Sequence, residues 1–142
     1  MHFIMKAVFA VAVAALAGCG MMGSGSGGGK AVNVSLSGAE EVPPVSVPGS
    51  GRGSFTVAGD GSVSGSVSTT GVQGTMAHIH RGARGQNGPV VVPLAKSGDT
   101  YTAPAGAKLS AADLQAFREG RLYVNVHTDR NKAGEVRGQL SP

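Results

Sequence analysis

Leu122-Tyr123-Val124-Asn125-Val126-His127 and, across the polar loop Thr128–Gly134, Glu135-Val136-Arg137-Gly138-Gln139-Leu140 decide how this chain is read. Successive side chains of a β-strand point to opposite faces. Leu122, Val124 and Val126 therefore share one face, and Tyr123, Asn125 and His127 the other. In the second run Val136 and Leu140 flank Gly138 on one face, while Glu135, Arg137 and Gln139 take the opposite one. Two such runs joined by a short polar loop predict an antiparallel hairpin over 121–127 and 135–140. Both apolar faces must point to the core, so the polar faces coincide. Arg137 then stands on the same surface as Asn125 and His127.

Working outward, the same period of two recurs. Val32-Asn33-Val34-Ser35-Leu36 alternates, and Pro43-Pro44 stops that strand because proline cannot donate to a ladder. A Pro/Gly/Ser-rich loop runs to Gly53. Ser54-Phe55-Thr56-Val57 and Ser62–Ser68 read as strands joined by the turn Gly59-Asp60-Gly61. Thr75–Arg81 is a further strand, and Pro89–Leu94, flanked by prolines, suits a sheet edge. Tyr101-Thr102 is a candidate small strand. One helix is expected over about 111–119, with Ser110 as N-cap, Asp113 three residues on, Leu114 and Phe117 on its buried stripe and Gly120 as its stop. The expected fold is all-β, a Greek-key β-sandwich or barrel of about seven or eight strands with one short helix.

The first thirty residues do not belong to that domain. Lys6 precedes the apolar run Ala7–Ala17, which leads through small residues into Leu16-Ala17-Gly18-Cys19. This is the pattern of an export signal, too short for a permanent bilayer span. The ending resembles a bacterial lipobox, which implies a signal over 1–18, lipidation at Cys19 and a Gly/Ser tether over 19–30, with the folded domain over 31–142. Cys19 is the sole cysteine of the 142-residue chain, so no internal disulfide forms. The protein is expected in the cell envelope, exported and membrane-anchored. Gly20 rather than Asp after the cysteine is compatible with the outer membrane of a Gram-negative source. Removing Lys6 lowers the formal charge by one, from +4 to about +3. The basic residues are scattered with little aromatic interleaving, which does not support nucleic-acid binding. A mild positive field would still attract small anions.

His78-Ile79-His80 places two imidazoles on one strand face, and His127 is the third histidine beyond the leader. Three neutral imidazoles form a plausible site for copper, with zinc the next choice. The alternative is three hydrogen-bonding residues on a solvated sheet face, with no metal. Glu41 is most simply a carboxylate bonding backbone at the bend before its prolines, and also a candidate fourth ligand or outer-shell partner. Asn125 is a candidate to orient an imidazole or a cross-strand polar pair. Tyr123 reads as packing with a wet hydroxyl. The glycine-containing loops 82–88 and 128–134 are placed to rim a site.

Leu36-Ser37-Gly38-Ala39-Glu40-Glu41-Val42-Pro43-Pro44, Ala77-His78-Ile79-His80, Gly88-Pro89-Val90-Val91-Val92-Pro93-Leu94, Leu122–Thr128 and Gly134–Leu140 occur in this order. Together they resemble the CHRD domain, named from chordin, over about Val32 to Leu140. That resemblance implies an extracytoplasmic all-β module, which in chordin forms part of a growth-factor antagonist. A weaker similarity is to the copper site of copper/zinc superoxide dismutases, which also pair a His-x-His strand with a later histidine on a Greek-key barrel. It implies His78, His80 and His127 as copper ligands and Arg137 as an anion guide for a substrate such as superoxide, whereas the residues alone read Arg137 as a strand-surface cation pairing with a carboxylate such as Glu135 or Glu41. Nothing here matches the bridging histidine, zinc loop or disulfide, so only a copper-only site is implied. If the protein is an enzyme, it is then a copper-dependent oxidoreductase. The competing expectation is a non-enzymatic envelope module binding proteins or glycans. There is no Ser-His-Asp spacing, phosphate-cradling loop or CxxC, and Glu40 and Glu41, being adjacent, face opposite ways when extended.

Overall fold

The computed structural model describes residues 28–142. The expected leader over 1–18 and the lipidation at Cys19 lie outside the described residues. Nine strands run in chain order as β1 (Lys30–Ser37), β2 (Ser50–Val57), β3 (Val63–Thr70), β4 (Gly74–Arg81), β5 (Val90–Pro93), β6 (Ala95–Ser97), β7 (Thr100–Thr102), β8 (Leu122–Thr128) and β9 (Val136–Leu140), with helix α1 (Ala111–Arg118) between β7 and β8. All neighbours pair antiparallel, in the order β5-β4-β8-β9-β1-β2-β3-β7-β6. The two ends of this sheet, β5 and β6, are one continuous piece of chain. Leu94 lies between them, and its N–H donates to Ala77 O of β4 at 3.0 Å. The sheet therefore curls into a nearly closed barrel, which leaves little free edge. The connections β3 to β4 and β7 to β8 join strands that are not neighbours, so the barrel is not a simple meander.

Inward-facing alternate residues fill the barrel: Val32, Val34, Leu36, Phe55, Val67, Ile79, Tyr101, Leu122, Val124, Val126, Val136 and Leu140 are all buried. Each fully buried aliphatic contributes roughly 1.5–3 kcal/mol, and a one-residue slip would turn a whole row outward, so the alternation holds the register. Helix α1 is built as its sequence predicts. Asp113 N–H donates to Ser110 Oγ at 3.1 Å. At the other end Gly120, at φ +70°, closes a Schellman motif in which Arg121 N–H donates to Ala116 O at 2.8 Å and Gly120 N–H to Phe117 O at 2.9 Å. Ala116 and Phe117 are its buried residues, and Leu114 is partly buried against the same core. The strand over Ala95–Ser97 adds to the expected number. It is exposed throughout and carries no alternation, so nothing in its sequence marked it.

One expectation of exposure is corrected. The shared polar face of β8 and β9 is not solvated: Tyr123, Asn125, His127 and Arg137 are buried, and Arg137 is 1% exposed. The hairpin itself forms as read, with Asn125 directly opposite Arg137. Its polar face is covered by the segment around the 3-10 turn Gly38–Glu40 and by loop 82–88, which are fastened together. Asn87 Nδ2 donates to Val42 O at 2.9 Å, and Arg84 pairs with Glu40. The barrel thus has an apolar interior and, outside this part of its wall, a second, polar one.

Candidate metal centre

β4 and β8 lie side by side in the register His78↔Asn125, His80↔Tyr123 and Met76↔His127. Parity sends His78 and His80 to one face of β4, and the pairing sets His127 diagonally across from His78. One ring nitrogen from each histidine lies within 4.8 Å of the others. His78 Nδ1 and His127 Nε2 are 3.0 Å apart. Two ligand nitrogens bound to one ion at about 2.0–2.1 Å must lie roughly 2.8–4.2 Å from each other, so the set needs only small side-chain adjustments to share an ion.

The ring environments select the free lone pairs. His80 Nδ1 donates to Gly88 O at 2.9 Å, and His127 Nδ1 donates to Lys132 O at 2.8 Å. A carbonyl oxygen only accepts, so both protons sit on Nδ1 and both Nε2 atoms are left as acceptors. His80 Nε2 is buried with no hydrogen-bond partner. An imidazole that donates one nitrogen to a backbone carbonyl and leaves the other bare is the arrangement of a metal-ligating histidine. Burial pushes the His78 imidazolium down to about 4, helped by the neighbouring His127 and His80. Burial likewise lowers His80, against the hydrogen bond to Gly88 that raises it. These rings are neutral at pH 7, the state in which imidazole binds metal.

The group of metal-capable side chains among the described residues is His78, His80 and His127, without Glu41. Glu41, read as a candidate fourth ligand or outer-shell partner, is thus not part of that cluster. Its Oε1 is buried without a partner, and its carboxyl lies beside Asn125, with Arg137 in range. Burial raises it to about 7, against the opposing pull of Arg137 and Asn125. Asn125 lies between Glu41 and His80, and its Nδ2 donates to Ala133 O at 3.2 Å.

Arg137 is not at the surface either. Its guanidinium stacks 3.5 Å from the centre of the Tyr123 ring. Nη2 donates to Gln86 O at 2.7 Å and Ala83 O at 3.1 Å, and Nη1 to Asn87 Oδ1 at 3.2 Å. A buried fork already committed to a loop does not meet an anion arriving from solvent. Tyr123 in turn stacks on His80, with centroids 4.8 Å apart and planes 3° from parallel. Its hydroxyl is not wet as expected but accepts from Gly88 N–H at 3.1 Å.

The matching family model is the CHRD domain, over residues 32–140. The chain belongs to the CHRD-domain family. Comparisons with curated proteins and with solved structures give no match. In this CHRD domain the conspicuous segments named above meet at one place. The β4 and β8 segments supply the imidazoles, Gly88 fixes the His80 ring, and Glu41 and Arg137 close the polar interior behind it. Two contributors had no chemical signature in the sequence. Gly88 and Lys132 act through backbone carbonyls.

Proposed function

We propose that this CHRD-domain protein is a lipid-anchored envelope protein that binds copper through His78, His80 and His127. The single observation that carries the reading is His80, its Nδ1 anchored on Gly88 O and its Nε2 buried and bare, in a cluster where ring nitrogens of His78, His80 and His127 lie inside 4.8 Å of one another. Leaving a buried ring nitrogen unpaired costs roughly 1–3 kcal/mol, a cost that a bound ion removes. An all-imidazole set in an oxidising compartment suits copper, with zinc the alternative. Three protein ligands leave an open coordination position. Of the two copper readings, metal handling is favoured over dismutase-like turnover, because Arg137 is occupied by loop carbonyls and does not serve as an anion guide. Anchoring at Cys19 would hold the site at a membrane surface, the outer membrane in a Gram-negative source.

The test is metal analysis of the exported protein, wild type beside His80→Ala, with circular dichroism to confirm folding of both. Stoichiometric copper in the wild type and its loss from a folded variant is the expected result. A folded wild type that takes up neither copper nor zinc overturns the reading and favours a metal-free binding module.

A further inference from the structure

We infer that Met76 is a fourth, soft ligand that makes the three-histidine site selective for cuprous copper, an inference that rests on the metal reading above. Met76, His78 and His80 are alternate residues of β4 and so share a face. Met76 is also the direct register partner of His127 on β8. Facing residues of an antiparallel pair have Cβ atoms about 4.5–5.5 Å apart. The thioether therefore has one imidazole beside it along the strand and another across it.

Exposure grades along this face. Met76 is 51% exposed, His78 is half-buried and His80 is 8% exposed. The methionine stands at the solvent rim and the two anchored imidazoles at the floor. Among the described residues the exposed large hydrophobics are Met76 and Val90, and Val90 belongs to the short strand β5 at the end of the sheet order. A single exposed apolar side chain is ordinary in itself. Met76 differs in standing beside two of the three potential ligands, His78 and His127.

The chemistry then chooses the ion. A thioether is a soft donor that selects Cu(I), whereas zinc sites draw on thiolate, imidazole and carboxylate. With three imidazoles and a thioether every donor is neutral, which suits a monovalent ion. The only cysteine is Cys19, remote in sequence from these strands, so methionine is the sulfur donor the domain has to offer. Its three rotatable bonds let the sulfur swing from solvent to the ion without moving the backbone.

The experiment compares the full chain with Met76→Leu, a volume-conserving change at an exposed position that preserves the fold. Both are titrated with Cu(I) under anaerobic conditions against a chromophoric chelator, and separately with Cu(II) and Zn(II). Cu(I) affinity should fall roughly tenfold or more in the variant, while Cu(II) and Zn(II) affinities stay within roughly threefold. X-ray absorption of the Cu(I) form should show sulfur scattering that the variant lacks. Unchanged Cu(I) affinity with no sulfur scattering, in a protein that still binds metal, overturns the role of Met76 and leaves the histidine site standing. A wild type that binds none of the three ions overturns both.

Discussion

If Arg137 is a clamp on loop 82–88 and not an anion guide, Arg137→Lys keeps the charge and must still destabilise the fold. The arginine holds three acceptors, Asn87 Oδ1 and the carbonyls of Ala83 and Gln86, while lying flat on Tyr123. A lysine ammonium is a point donor without the planar fork, so at most one of these contacts is re-formed. Losing two charge-assisted hydrogen bonds costs up to about 3–6 kcal/mol. Gln86 is exposed and Ala83 half-buried, so their carbonyls recover part of this from water. With roughly 0.5–1 kcal/mol for the lost stacking, the net expectation is about 2–4 kcal/mol. Urea denaturation reads this directly: the midpoint should fall by roughly 1–3 M at an unchanged slope. Because loop 82–88 also carries Gly88, which fixes the His80 ring, copper affinity should weaken as well. A stability within about 0.5 kcal/mol of wild type would refute the clamp.

Two further outcomes follow from the same polar interior. Glu41 is raised from 4.5 to about 7, so its contribution to stability is full below 4.5 and is lost as pH rises through 7. Glu41→Gln should therefore gain on wild type by roughly 1–2 kcal/mol between about pH 4 and about pH 8, after allowing for solvent screening; a difference that is flat or inverted across that range would contradict the assignment. At Gly88, an added Cβ would sit 1.7 Å from Arg81 O, a backbone atom with little room to yield. Gly88→Ala should cost roughly 1–3 kcal/mol by urea denaturation and weaken copper binding by about 10–100-fold, since it shifts the carbonyl that orients His80. Unaltered copper affinity would remove Gly88 from the site.

The division between what was legible and what was not follows the range of the forces involved. Strand parity is a local property of the backbone. Parity alone therefore placed Val124 and Val126 towards the core, His78 and His80 on one face, and Arg137 on the same face of the last hairpin as Asn125. The ends of α1 were equally local, because Ser110 and Gly120 act on backbone groups within a few residues. Which strands become neighbours is a matter of closing the whole barrel. Residues 78 and 127 come together only because the chain leaves β7, passes through α1 and returns to insert β8 between β4 and β9. Tertiary structure also decided that the polar face is covered. A Tyr/Asn/His/Arg face reads alike whether it meets water or a loop, and only the packing of residues 38–45 and 82–88 made it an interior. That covering turned Arg137 from a surface cation into a clamp, and it left the His80 lone pair buried and unpaired.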